Sequence, residues 1–528
     1  MRLALISEDW RISYTIQMKK LRLNKPTRFL LIGGVISAIA LFAAIFLLPK
    51  PQGTGQVLNE DIPFYSMPWN DNPFAPGNMQ TTDGKLLNNA DIPSAEFCAQ
   101  CHQPEYREWI SSIHAVTGPD IIYETAISNN ELAHKNRHGT EKIRWCDSCH
   151  EPVNLLMGEI NPLPVVGPSP VTAEGTTCIV CHTAVSADPL AGNGALTLDI
   201  NNINDYTEAL IMAAPAEHAR AMQAKSHNPL MGSSDFCGAC HTEIRPVEVN
   251  GNEPMHLQNT FEEWQDSEYA EKNIQCQDCH MHPDPAAFIS QLNETGQIPE
   301  RIVSHRFVGV NYLLTDSNLP SNLVTYLRGG LPPGGISTDE WKADLLEQNR
   351  LILDLLQAAA DLSISAPESV SPNSTANLDV TIANSGAGHS LPTGPLDQRH
   401  MWLEVKVTDA AGKALYHSGW FDDKTGQVDP NAVIYLKILT DKNGAPIYEH
   451  ILFDVEKYHY TRDPIPAKAS DTIPYSFTVP ADAQGPLKVE TTLWYRLALQ
   501  EFVIYSLKMD VILPPVMMEQ ASAEISTR

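Results

Sequence analysis

At 528 residues the chain is too long for one ordinary core, so two or three globular units are expected. Hydrophobic residues at 43% and charged residues at 19% suit folded domains and leave little room for long disorder. Residues 1–50 hold eight Lys/Arg against two Asp/Glu, a net +6, so the whole-chain charge of −27 leaves −33 on residues 51–528; such a field disfavours nucleic acid and anionic lipid and favours partners with a basic docking face, while plain solubility accounts for much of it.

Phe29 to Leu48 is an apolar run of 20 residues without a charge, about the length that crosses a bilayer as a helix. Lys19, Lys20, Arg22, Lys25 and Arg28 precede it, so the positive-inside bias puts residues 1–28 in the cytoplasm and everything after Lys50 outside. The expectation is a single-pass anchor (29–48) in the inner, cytoplasmic membrane, with the rest of the chain in the periplasm or outside the cell. A cleaved signal peptide fits less well, because the run is long and Leu47-Leu48-Pro49-Lys50 lacks a small-x-small cleavage pattern. Residues 49–90, rich in Pro, Gly and Asn without a period, read as an extended linker.

From 91 to 310 the cysteines dominate. They form five pairs, Cys98/Cys101, Cys146/Cys149, Cys178/Cys181, Cys237/Cys240 and Cys276/Cys279, each followed at once by a histidine: His102, His150, His182, His241 and His280. C-x-x-C-H is the attachment signature of c-type haem. Two thiols on one turn each form a thioether with a haem vinyl group, and the next residue turns its imidazole under the iron. Structural disulfides give no reason for a histidine after every second cysteine, zinc ribbons use two pairs per metal, and a thioredoxin motif is single. The motifs predict five covalently bound haems, whose faces supply much of the core of an α-rich, loop-rich domain.

Eighteen histidines less five leaves thirteen for the sixth coordination positions. Two imidazoles close an iron to other ligands and suit electron transfer; an open position suits catalysis. His114 is the first candidate, on an apparent helix with Tyr106 and Trp109. His227 precedes the fourth motif, His305 follows the fifth, and His138 precedes the second, with His134 as its rival. His389 stands in the turn-rich Gly386-Ala387-Gly388-His389-Ser390-Leu391-Pro392 far along the chain, so as a ligand it would make the C-terminal domain cap a haem. The others are His218, His256, His282, His400, His417, His450 and His459. Met212, Met222, Met231, Met255 and Met281 compete as axial ligands and read mostly as core fillers.

Residues 311–361 form a linker and a strut helix, in which Ser337 and Glu340 make a capping box and Trp341, Leu345, Ile352 and Leu356 an apolar face. From 362 to 515 the period changes to two. Leu378–Ile382, Trp402–Val407, Ile434–Ile438, Tyr475–Val479 and Phe502–Tyr505 alternate like half-buried strands, which predicts an all-β, immunoglobulin-like sandwich. Residues 516–528 read as a tail.

The haem region resembles the multihaem cytochromes related to the tetrahaem electron acceptor of hydroxylamine oxidoreductase. The resemblance covers roughly residues 91–310 and rests on Cys98-Ala99-Gln100-Cys101-His102 with Tyr106, Trp109, Ser112 and His114, on Gly175-Thr176-Thr177-Cys178-Ile179-Val180-Cys181-His182, and on Ser304-His305-Arg306-Phe307. It implies motif histidines as proximal ligands and stacked haems as a conducting chain. Five motifs, an anchor and a β domain depart from that family, so ligand pairing does not carry over. The C-x-x-C-K variant of pentahaem nitrite reductase is absent, which counts against nitrite reduction.

Two functions follow. In the first, an electron conduit takes electrons from a membrane quinol dehydrogenase or periplasmic donor and passes them to another cytochrome or a reductase. In the second, one haem with an open position acts on a small nitrogen or sulfur compound, with Glu217 and His218 as a proton source.

Overall fold

Every motif lies on or beside a short helix, since one helical turn sets two thiols three positions apart on the same side. These helices are Ala95–Cys98, Arg144–His150, Cys178–His182, Ser234–Gly238 and Cys276–His280. Their starts are fixed locally: the Ser94 hydroxyl accepts from the Phe97 amide at 3.1 Å, and the Gln275 amide donates to Asp278 at 2.7 Å.

The computed structural model describes residues 72–87, 92–118, 120, 122–123, 125–127, 144–158, 174–200, 208–226, 228–245, 254–312 and 335–528, all within one unit, Ser66–Arg528. The expected anchor at 29–48 lies outside them, as do His134, His138 and His227. No helix among the described residues is long and apolar enough to cross a membrane.

Part of the expected linker is instead packed structure. Strand β1 (Gln80–Thr81) runs parallel to β3 (Leu196–Leu198), which pairs antiparallel with β2 (Ala184–Ala187). Phe74, Met79 and Leu87 are buried in one cluster with Leu155, Leu156, Val180 and Leu198. Isolated apolar residues among Pro, Gly and Asn carry no period, so only the fold reveals their burial. A further hairpin, β4 (Thr242–Arg245) with β5 (Met255–Asn259), follows the fourth motif directly.

The helix Thr338–Gln357 starts at the expected box, with the Ser337 hydroxyl accepting from the Glu340 amide at 3.3 Å. Its buried stripe is Asp344, Gln348, Leu351, Ile352, Leu355 and Leu356, rotated from the expected one at its N-terminal half. There the helix leans on polar contacts as well as on Trp341, which packs against the cluster of Tyr106 and Trp109: Arg107 binds Asp344 through Nε at 2.9 Å and Nη2 at 3.1 Å, and Gln348 donates to the Arg306 carbonyl at 3.0 Å. Its C-terminal half joins the β-domain core.

In the β-rich C-terminal region β6 (Asp361–Ser365), β8 (Thr375–Ala383) and β14 (Ser470–Thr478) form one sheet in the order β14-β8-β6. The second has the order β10-β9-β15-β16-β7, from β10 (Ala414–Ser418), β9 (His400–Thr408), β15 (Leu487–Arg496), β16 (Val516–Thr527) and β7 (Ser369–Val370), with β11 (Val433–Tyr435) also on β9. Inward residues of both sheets, among them Val380, Ile382, Val405, Val407, Val489 and Leu493, share one core.

Three expectations change here. The expected strand Ile434–Ile438 is divided, because β12 (Lys437–Thr440) leaves the sheet to pair with β13 (Lys457–Tyr460). Phe502–Tyr505 is helical, within Gln500–Tyr505; Phe502 and Val503 point inward and Ile504 and Tyr505 outward, a helical stagger that a period of two cannot produce. The presumed tail at 516–528 is instead the strand β16, whose inward positions include Ala521 and Ala523, too small to show an apolar alternation.

Candidate metal centres

Three of the motif imidazoles face a second imidazole brought from far along the chain. Ring centres are 6.4 Å apart for His182 and His305, 6.3 Å for His280 and His389, and 6.4 Å for His241 and His114. Two imidazoles on opposite faces of one metal ion stand roughly 6.4 Å apart, from about 2 Å of metal–nitrogen bond and about 1.2 Å from nitrogen to ring centre on each side. The three pairs therefore match the span of a two-ligand axial site. The first two are nearly parallel, at 19° and 10°, and the third is crossed at 71°.

Ring orientation is fixed from behind. His280 Nδ1 lies 2.7 Å from the Val308 carbonyl, His389 Nδ1 2.9 Å from that of Ser390, and His150 Nδ1 3.2 Å from that of Thr117. A carbonyl at Nδ1 selects the tautomer whose Nε2 lone pair is free for a metal. Desolvation pushes the imidazoles of His114 down to about 3 and of His150 and His241 to about 4, so these rings are neutral across the physiological range.

His114 is positioned by the segment before the third motif. The Thr176 amide donates to the His114 carbonyl at 2.8 Å, Trp109 Nε1 to the Thr176 carbonyl at 2.9 Å, and Thr176 Oγ1 to the Cys149 carbonyl at 3.2 Å. A Cβ at Gly175 would collide with the Thr117 hydroxyl and the His114 carbonyl, so glycine is required there for close approach. His389 rides on a loop tied to both sides: Asn384 donates to the His389 and Ile465 carbonyls at 2.8 and 2.9 Å, and Asn293 to the Ser385 carbonyl at 3.1 Å.

No disulfide joins any two of the ten cysteines. They meet across motifs: Cys98 with Cys178, Cys149 with Cys240, and Cys237 with Cys276. Cys181 in turn feels Cys240. The first motif thus adjoins the third, the third the fourth, and the fourth both the second and the fifth. Desolvation pushes Cys181 and Cys279 up to about 12, which disfavours thiolate ligation of a bare metal ion. Among the described residues no cluster of three or more His, Cys, Asp or Glu side chains converges as a bare metal ion would need. The residues fit a group that brings its own equatorial ligands and takes two axial imidazoles and two thiols from the chain.

Other candidates are engaged elsewhere. His417 lies 2.7 Å from Glu404, Arg496 donates to His400 at 2.9 Å, His282 faces the Asp284 carbonyl at 2.7 Å, and His256 is 3.4 Å from Glu262; His459 lies on β13. Of the methionines, Met212 is exposed and Met255 packs beside Leu257 and Trp145. Glu217 is exposed and ion-paired with Arg220 on its own helix.

The second motif differs from these three. His150 stacks flat on Tyr123, with ring centres 4.1 Å apart, and among the described residues no imidazole faces it, or His102, at the axial span. Beside it lies a cluster that the sequence did not reveal. His450 binds Asp397 at 2.6 Å and, despite desolvation, is held above its usual range by that carboxylate. Desolvation raises Glu243 to about 7, and Lys437 donates to the Leu257 carbonyl at 2.8 Å. These groups come from both domains, and spacing along the chain gives no hint of their meeting.

No protein-family model matches the chain, and no curated protein matches it. Among solved structures, a penta-heme cytochrome c552 from Thermochromatium tepidum is similar at a TM-score of 0.50 and 18% identity, over 83% of this chain and 100% of that one. The CARDB domain of PF1109 from Pyrococcus furiosus covers 32% of this chain and 90% of its own at 12% identity, with a TM-score of 0.14. The chain has the fold of a multihaem cytochrome c, joined to a β-rich C-terminal region.

Proposed function

We propose that this chain is a pentahaem c-type cytochrome that conducts electrons. Cys98/Cys101, Cys146/Cys149, Cys178/Cys181, Cys237/Cys240 and Cys276/Cys279 attach the haems, and His102, His150, His182, His241 and His280 are the proximal ligands. His305, His389 and His114 complete the third, fifth and fourth sites. His138 and His227 are the proposed outer ligands for the remaining two. The observation that carries this reading is the common 6.3–6.4 Å span of three imidazole pairs.

Haem iron bound in this way supplies reversible one-electron chemistry with little rearrangement. The chain's contribution is to space, orient and insulate it. Residues 29–48 tether the molecule to the inner membrane with both domains outside. There a quinol dehydrogenase or periplasmic donor supplies electrons, and a cytochrome or reductase with a basic face takes them. The sheet orders β14-β8-β6 and β10-β9-β15-β16-β7 around one core support an immunoglobulin-like reading of the C-terminal domain, and kinship with the electron acceptors of hydroxylamine oxidoreductase remains part of this proposal. Intact-mass measurement on protein matured in a host that attaches c-type haem tests the reading: the expected increment is five haems, and apoprotein mass from such a host overturns it.

One observation favours a second reading for the second motif alone. His150 has Tyr123 on one side and lies beside the Asp397–His450 pair and Glu243, a set able to hold and pass protons. In that reading this site turns over a small nitrogen or sulfur compound. A high-spin ferric signal amounting to about one-fifth of the iron, together with turnover of hydroxylamine, nitrite or tetrathionate, would select it.

A further inference from the structure

The segment Ser304–Val308 touches three of the candidate centres within five residues. His305 faces His182 at the third site. Phe307 packs its ring on His114, the outer imidazole of the fourth site, with centres 4.6 Å apart and planes at 79°, and on His305 at 6.1 Å and 88°. The Val308 carbonyl holds His280 Nδ1 at 2.7 Å at the fifth site, and the Val308 amide donates to the His280 carbonyl at 2.8 Å.

Phe307 is also one of the few non-glycine residues with a left-handed backbone, at φ +44. A bulky side chain adopts that region only where its surroundings over-determine it. The surroundings do so here. Glu108 accepts from the His305 amide at 2.7 Å, Ser304 Oγ accepts from the Arg306 amide at 3.2 Å, Arg306 donates to Ser111 Oγ at 3.3 Å, and Gln348 of the strut helix clamps the Arg306 carbonyl. With both flanks pinned, the left-handed turn drives the aromatic ring between two imidazoles that belong to different centres.

We propose that Phe307 is a positioning residue that sets the ring planes of His114 and His305 together, keeping the first crossed to its partner and the second nearly parallel to its own. The inference rests on the axial-ligand reading above. Crossed and parallel imidazole planes split the iron d orbitals differently, so the fourth site gives a strongly axial low-spin EPR signal and the third a rhombic one. Phe307 is thereby the steric link through which two neighbouring centres acquire unlike electronic structure.

The test is low-temperature EPR with potentiometric titration on the full-length, haem-loaded protein and on Phe307→Ala, Phe307→Gly and Phe307→Tyr. Alanine and glycine are expected to shift or erase the strongly axial signal and to move the third-site rhombic signal, and tyrosine to restore both. The rhombic signal of the His280–His389 site serves as the internal reference and stays in place. Glycine fits the left-handed backbone without strain, so a spectral change in that variant comes from the missing ring and not from a misfolded turn. Unchanged spectra and potentials in folded Phe307→Gly protein carrying its full haem complement overturn the proposal. Absence of haem in the wild type would instead overturn the reading on which it rests.

Discussion

Replacing His389 with alanine removes the imidazole that the β domain presents to His280 and leaves the loop that carries it. The contacts from Asn384 go to backbone carbonyls, those of His389 itself and Ile465, and Asn293 holds the Ser385 carbonyl, so none depends on the lost ring. The fifth site then keeps one axial ligand of its pair. With five motifs in the chain, one such site is about one-fifth of the iron. The ferric protein should move about that share of its EPR intensity from low-spin to high-spin signals. His389→Met restores a sixth ligand of weaker basicity; its spectrum should return to low spin with the potential of a single centre raised. An Ala variant that is folded, fully haem-loaded and spectrally identical to wild type refutes the pairing of His280 with His389.

Three further perturbations probe the scaffold. Arg107→Ala removes the two-pronged partner of the largely buried Asp344, leaving Arg306 at 3.9 Å, and should cost about 2 kcal/mol, read as a lowered denaturant midpoint; no change would mean that the strut helix does not lean on this pair. Ser337→Ala removes the cap of that helix and should cost about 1 kcal/mol, with Ser337→Asp restoring it. Glu174 accepts from the Ala95 amide and the Thr177 hydroxyl, yet desolvation raises it to about 7 from an ordinary value of 4.5. A carboxyl raised on folding contributes stability that is complete below 4.5 and is lost as the pH climbs through about 7. Glu174→Gln should therefore flatten that part of the stability–pH curve, and an unaltered slope sinks the assignment.

The motifs were legible because haem attachment is written locally: two thiols and an imidazole must share one turn, and no distant residue substitutes for them. The capping box at Ser337 and the strands β8, β9 and β14 were legible for the same reason, since caps and alternation are short-range. Pairing of the histidines was not. His241 meets His114 and His280 meets His389 only because Gly175 lets two segments close together and the Asn384 loop docks on the haem region. Neither event leaves a period or a spacing in the chain. The Asp397–His450 pair beside Glu243 escaped notice for a related reason, because Asp397 and Glu243 read in isolation as ordinary surface charges and His450 as one more spare histidine. Alanines in β16 and packed residues within the presumed linker show the converse limit, where burial occurs without large apolar side chains or without rhythm.

The cross-motif cysteine contacts carry a topological consequence. A string of centres in single file has two ends, but here the fourth adjoins the third, the second and the fifth, while the first adjoins the third. Among the described residues such an array is a fork with three tips, at the first, second and fifth motifs. On the proposed electron-conducting reading, a charge arriving at any tip would reach the other two through the fourth motif.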